Sequence, residues 1–451
     1  MISLARKLKT FDYFALAFGT MVGTGWLIVM DDWLSRGGPL GAILGFAIGG
    51  AVLLPIGYVY GRLVMAMPDA ASEIAYTRKA FSPGISFATG WTMILAYLPV
   101  CPWESVAVGK IASYVFPALN STPLYSVAGK PVYLPHLVMG LFVAGVITYL
   151  NFLGIRESAT LQNWMTAGVF VLFAIFVLCG LARGSVQNFV PAFSHAGRYG
   201  GLVSIILVIQ IVPFFMTGFE SVTKCSEEST LDFRAQGFFR AIILALVVGI
   251  VFYTSVIAIV AYVSPWPSLV QESFATAVAF ERAFRSPWIV DLILLAALLS
   301  LVKIFNGNFI AATRLLFALG RRGLVDERFG RIHPANRTPS IAVISVGLLT
   351  FAAVFLGEAI LIPVTEVGSL ASAVGWLATC ASYYRMGPAP RERAIALAGS
   401  AVGGTLVLMK ILPNVPGHFT IYEYGALFLW IALGLALKRG GTKGSAAMEG
   451  S

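Results

Sequence analysis

Charge is scarce in this sequence. Asp, Glu, Lys and Arg make up 12% of the 451 residues, about half the share usual in soluble domains. So few charges cannot clothe a water-soluble surface for a chain of this length, so lipid is the expected solvent for most of it. Histidine is also sparse, with four residues. His136, His195, His333 and His418 all fall in expected loops or at helix ends, which argues against a buried histidine relay. No His-Glu-x-x-His pair, clustered intramembrane histidine or nucleophile–base set occurs, so an enzyme is not expected, and neither a metal nor a cofactor is called for. The four cysteines, Cys101, Cys179, Cys225 and Cys380, follow no zinc or disulfide spacing and read as small buried apolar side chains. No small-residue cleavage site follows the first apolar stretch, so that stretch is expected to remain as an anchor. Both ends are short, and no attached soluble domain is expected. A repeated filter motif or ring-forming charged segment, as a channel would need, is missing. So is the long basic loop between helices six and seven that two six-helix halves would predict.

What is abundant is apolar sequence, at 58% of the residues. Runs of roughly 20 apolar residues, enough to span a bilayer, predict an all-α integral membrane protein of about twelve transmembrane helices. The approximate spans are 13–35, 39–61, 85–116, 133–154, 159–182, 201–223, 238–263, 289–320, 340–357, 364–386, 393–412 and 419–437. The net charge of +10 invites a nucleic-acid reading, but the positions of the basic residues oppose it. With the N-terminus inside, the inner segments hold Arg6, Lys7, Lys9, Arg78, Lys79, Arg234, Arg240, Arg321, Arg322, Arg328, Arg331, Arg337, Lys438, Arg439 and Lys443. That asymmetry is the positive-inside signal. It predicts a multi-pass protein of the cell inner (plasma) membrane with both termini cytoplasmic and no nucleic-acid partner.

Two of the apolar runs are interrupted at their centres. The first contains Gly19, Gly23, Thr24 and Gly25. The sixth contains Pro213 followed by Phe215, Met216, Thr217, Gly218, Phe219 and Glu220. Each opens a set of five helices, over about 11–185 and 200–387. Five is odd, so the second set would enter the membrane from the opposite side. The final pair, about 393–437, stands outside the repeat. Glycine-broken segments at matching places of inverted halves point to a secondary transporter's binding site. Taken alone, small-xxx-small spacings such as Gly19/Gly23 and Gly41/Gly45/Gly49 are explained by helix packing; the matched pair of breaks favours binding. Unwinding frees N–H groups on one side and C=O groups on the other, and in hydrocarbon these must meet protein, water or a ligand. The free amides suit a carboxylate and the carbonyls suit an ammonium.

At these residues the chain resembles the amino acid–polyamine–organocation transporter superfamily over nearly its whole length. Gly19-Thr20-Met21-Val22-Gly23-Thr24-Gly25 is similar to the family's first-helix glycine motif, where main-chain amides hold the substrate carboxylate. Phe215 through Glu220 is similar to its sixth-helix aromatic-Gly-Phe-Glu segment, followed by Glu227-Glu228. Asn306 through Leu315 with Arg322-Gly323-Leu324, and Pro68, Ala70, Ala71 and Tyr76, resemble the eighth helix and the loop after helix two. The resemblance implies a single transporter domain with the five-plus-five inverted-repeat (LeuT-like) fold and broken helices one and six. It implies substrate contacts at Val22, Gly23, Thr24, Gly25, Trp26, Phe215, Met216, Thr217, Gly218 and Phe219. Trp26 departs from the smaller aliphatic residue usual after the glycine motif, and an indole there would restrict the pocket. Asp31 and Asp32 lie just beyond it. The usual proline after the acidic pair is missing, and Val325-Asp326 replaces the common Leu-Pro.

Ionisable residues inside the bilayer cost about 2.5–3.5 kcal/mol at the helix centre on insertion scales, so each needs a reason. Lys303 lies eleven residues before Arg314, about 16 Å deeper at 1.5 Å per residue, near the midplane. In sodium-independent members of the resembled family a helix-five lysine often replaces the sodium ion. Here that region offers Gly168 and Val169, and Lys303 is the candidate to supply the charge from helix eight and to couple a proton. A structural salt bridge is the competing explanation. Glu104 follows Pro99, Pro102 and Trp103 in the third helix; it reads either as a proton-linked or amine-recognising acid or as a partner for Lys110 or a freed backbone group. Glu220 reads as a gating and helix-capping acid. Arg321 and Arg322 read as a solvated, lipid-phosphate-facing turn, and Asp12 and Glu366 as dipole-stabilised helix starts.

The expectation is a secondary active transporter for an amino acid or related amine. A proton is the candidate coupling partner in symport or exchange, and sodium is disfavoured by Lys303. The alternative is an integral-membrane sensor or channel that binds a small zwitterion without coupled transport.

Overall fold

The computed structural model describes Leu4, residues 6–272 and residues 274–439. Lys443, among the basic residues assigned above to the inner side, lies outside the described residues. The chain is almost wholly helical, with one small antiparallel hairpin, Pro123–Val127 with Lys130–Tyr133. Among the described residues, nine helical stretches are long and apolar enough to cross a membrane. Three shorter apolar helices, Gly200–Ile209, Ser340–Val354 and Ile421–Leu437, accompany them. Together they fall one to one on the twelve expected runs.

The departures have local causes. The first two expected spans join almost directly. The helix Met30–Ala51 continues across a single kink where Gly38 takes φ 63° ahead of Pro39. A side chain on Gly38 would collide with the Phe193–Ser194 backbone, so the turn needs glycine both for its dihedral and for the contact. The third span divides into Pro83–Tyr97 and Val100–Val115 at Pro99, as a proline that removes a helical hydrogen bond requires. Two short helices in the connections, Glu73–Ala80 and Ala275–Phe284, have no counterpart in the twelve runs, because neither is long enough to read as a span.

Packing follows the small-residue pattern. A methyl on Gly45 would stand 2.6 Å from Val208 Cβ, and one on Gly49 2.9 Å from Val212. The stripe on Met30–Ala51 therefore brings that helix close to Gly200–Ile209 and Val212–Met216. Without a hydrophobic effect between helices in lipid, such close approach and its dispersion energy carry the association. Leu244, Val251, Leu348, Phe428 and Leu429 remain exposed on the outside, as lipid-facing side chains do. The four cysteines are free; Cys101, Cys225 and Cys380 are buried and Cys179 partly so.

Candidate functional site: a cavity between two broken helices

The first break is real and short. Helix Thr10–Met21 stops, Val22 is extended (φ −98°, ψ 107°), and the chain turns helical again over Gly25–Ile28. Val22 N–H still reaches Phe18 O. Among the described residues no backbone carbonyl takes up the N–H groups of Gly23, Thr24 or Gly25. The freed carbonyls are claimed by side chains from other helices. Asn308 Nδ2 donates to Thr20 O at 3.0 Å, the Tyr253 hydroxyl to Met21 O at 2.9 Å, and Lys303 Nζ to Val22 O at 2.8 Å.

Lys303 is fully buried on the long helix Pro287–Arg321, with its ammonium 4.6 Å from the centroid of the Phe18 ring. It forms no salt bridge among the described residues. A buried ammonium is retained only when donors and charge are answered; here a main-chain carbonyl and an aromatic face answer them. Glu104, 2% exposed, accepts the Thr24 hydroxyl at 2.7 Å. Lys110 turns instead to Glu358, 3.8 Å away, so the expected Glu104–Lys110 alternative is not the arrangement adopted.

The second break lies between Val212–Met216 and Ser221–Lys224. Thr217 is extended (ψ 136°) and Gly218 has φ 130°, a region that favours glycine. Glu220 bends back so that its Oε2 accepts Gly218 N–H at 3.1 Å; its side chain makes no cap bond to the helix Ser221–Lys224 that follows. The Thr217 hydroxyl shares its one proton between Pro213 O at 2.6 Å and Ser372 Oγ at 2.5 Å, and Phe214 N–H donates to Ser369 Oγ at 3.2 Å. The carbonyls of Phe214 through Thr217 accept no backbone N–H among the described residues.

Beside the first break lies a small cavity lined by Thr20, Met21, Gly23, Gly25, Val100, Trp103, Glu104, Phe214, Phe215, Ile304 and Asn308, the phenylalanines coming from the helix that leads into the second break. Of the expected site residues it collects Gly23, Gly25, Phe215 and Glu104. Phe215 covers Gly25: a methyl there would stand 2.5 Å from the ring. Val22 and Thr24 contribute through the carbonyl bond to Lys303 and the hydroxyl bond to Glu104. Met216 packs toward Gly249, Thr217 binds Ser372, and Gly218 lies so near the Thr20–Met21 backbone that a methyl on it would stand 2.7 Å away. Phe219 packs on Tyr60 and Trp376. Trp26 does not line this cavity. Its indole meets Phe176 and Phe252 and lines a separate apolar cavity of about 460 Å³ with Phe173, Val256, Phe280 and Ile293. Gly25 and Trp26 are consecutive in a helical turn and so point to different sides.

The walls that sequence reasoning missed are Val100, Trp103, Phe214, Ile304 and Asn308, with Tyr253 behind them. Pro99 and Pro102 marked the third helix as bent without showing that Val100 and Trp103 turn inward. Asn308 lay inside the eighth-helix motif.

Several connections are joined by charge. The Lys224 ammonium meets Glu73 Oε1 at 2.7 Å, both fully buried, and Tyr60 OH donates to the same oxygen. Arg314 reaches Glu228 at 2.6 Å. The backbone of Lys7 and Leu8 binds Glu228 O. Arg321 pairs with Glu227 and Asp69, and Arg322 with Asp69. The turn expected to face lipid phosphates is therefore an ion-pair network joining three connections. Burial works to raise the Glu227 carboxyl, but the hydrogen bonds and charge of Arg321, the Ala70 N–H and the charge of Arg322 together outweigh it and hold the group below the usual range. Glu366, expected to rest on helix-dipole stabilisation alone, is paired with Arg36 and Lys410. Asp12 caps Lys9 N–H and accepts Asn163.

A helical membrane protein with two interrupted helices, and a small cavity holding one buried acid beside the first interruption, has the makings of a permease. The chain belongs to the amino acid permease family: the family profile matches residues 8–436. It is 26% identical to the branched-chain amino acid permease BcaP of Bacillus subtilis (strain 168), over 82% of this chain and 77% of the relative. It is 25% identical to the methylthioribose transporter of the same organism, over 75% and 72% respectively. Identity to the lysine-specific permease LysP of Escherichia coli (strain K12) is 24%, over 85% and 78%. The protein is thus a multi-pass membrane protein of the amino acid transport class.

Proposed function

We propose that this chain is a secondary active transporter that moves an amino acid or related amine across the plasma membrane by alternating access. All twelve apolar helices cross the bilayer, both termini are cytoplasmic, and the single domain comprises inverted repeats over about 11–185 and 200–387 with an added pair over about 393–437. The observation that supports this reading is the break at Gly23 beside a cavity that Phe214 and Phe215, on the helix leading into the second break, also line, since freed backbone groups persist at membrane depth only where they are buried in protein or line such a space. The substrate contacts are Gly23, Thr24, Gly25 and Phe215. Lys303 supplies, from the eighth helix, the positive charge beside the first break; transport then needs no sodium, and a proton is the coupling ion. Glu220 and Phe219 gate the site from the second break.

Purified protein in proteoliposomes, loaded with each candidate solute in turn, tests the reading by counterflow of labelled solute. Saturable exchange that is indifferent to sodium is expected. Binding without exchange identifies a sensor, and non-saturating flux identifies a channel.

A further inference from the structure

Few free donors line the cavity, and its one ionisable side chain is Glu104. The donors that could answer an anion are already committed. Trp103 Nε1 donates to Leu361 O at 2.7 Å, Asn308 Nδ2 to Thr20 O and Ile304 O, and Thr20 Oγ1 to Leu16 O. Lys303 donates to Val22 O and does not line the space. What remains on the lining residues are the carbonyls of Phe214 and Phe215, which accept no backbone N–H among the described residues, and the Glu104 carboxyl group. The free amides of the first break are the exception, and Glu104 lies across them. Its Oε2 takes the Thr24 hydroxyl, and its Oε1 is 2.7 Å from the point where a Gly23 methyl would sit. A carboxylate arriving at those amides would find the Glu104 carboxyl group already lying against them. Two acids cannot both ionise at such range in a poorly screened interior, whereas an ammonium there favours the ionised form of Glu104.

We infer that the preferred substrate is a protonated amine lacking a carboxylate beside its nitrogen, and that Glu104 takes the place of that carboxylate in the first break. The ammonium lies between Glu104 and the freed carbonyls, and the hydrocarbon or aryl body rests on Val100, Trp103, Phe214, Phe215 and Ile304. This inference rests on the transporter reading for its site and narrows the substrate class of that site.

Isothermal titration of the full chain in detergent at neutral pH tests it with matched pairs: phenethylamine against phenylalanine, isoamylamine against leucine, ethylamine against alanine. At least one amine is expected to bind ten-fold or more tightly than its parent amino acid. Glu104→Gln is expected to lose ten-fold or more of that affinity, with Glu104→Asp recovering part of it. An amino acid binding as tightly as its amine, amine affinity unchanged in Glu104→Gln, or no binding by any member overturns the inference. The wild-type pairs decide it even where the variants do not fold. Failure of the transporter reading shows separately, as binding without proteoliposome exchange.

Discussion

The two breaks are alike in kind and different in upkeep. The first is supported from outside: Lys303, Asn308, Tyr253 and Glu104, from three other helices, hold its carbonyls and its threonine. The second is supported mainly from within, by Glu220 folding onto Gly218 and Thr217 onto Pro213, with Ser369 and Ser372 beside it. A segment whose polar groups are answered by distant side chains changes its partners whenever helices move or a ligand arrives. A segment that answers its own keeps its bend through such movement. The first break therefore reads as the place where substrate is recognised, and the second as a hinge that shapes the wall.

Substitutions should separate these roles. The largest effect is expected at Gly218→Ala. At φ 130°, with Met21 N and Thr20 C only 2.7 Å from the added methyl, the second break cannot keep its course. The loss should be about 2–4 kcal/mol of stability, read as a sharp fall in melting temperature. Lys303→Met should do the opposite: uptake falls by about 30- to 150-fold, the worth of a charged hydrogen bond of about 2–3 kcal/mol. The melting temperature should hold or rise, because a buried charge has been removed. Thr24→Val removes the hydroxyl that orients Glu104 and should weaken substrate binding by about ten-fold at unchanged stability. Ser372→Ala, at the second break, should cost about 0.5–1.5 kcal/mol of stability with little change in substrate affinity. Equal effects of Thr24→Val and Ser372→Ala on affinity would dissolve the distinction.

Smallest of all is Glu227→Gln, in the partly exposed network with Arg321, expected to cost about 0–1 kcal/mol and less in high salt. The Glu227 carboxyl is held low in the folded chain. Its contribution is therefore present above the ordinary carboxylate range and lost as pH falls through the folded value. Melting curves of wild type and variant should converge on acidification.

Much of this was legible in the sequence because the bilayer leaves so few options. Twelve apolar runs, and glycines in two of them, were enough to place the helices and both breaks, and an isolated Lys303 or Glu104 in hydrocarbon announces a purpose. The direction in which an apolar side chain points was not legible. Trp26 adjoins the glycine motif yet turns into an apolar cavity, while Val100, Trp103 and Phe214, which look like any lipid-facing residues, form the polar cavity's walls. In lipid the outer face is as apolar as the packed one, so the pattern that betrays an inward face in a soluble helix is muted. The ion pairs Arg321–Asp69 and Glu366–Arg36 join residues hundreds of positions apart, and only the fold brings them together.

The most direct test of the recognition site is a substrate-bound structure. Ligand density bounded by Gly23, Gly25, Glu104 and Phe215 is the predicted result. Density lodged elsewhere, with this cavity empty and both breaks unaltered, would contradict the account.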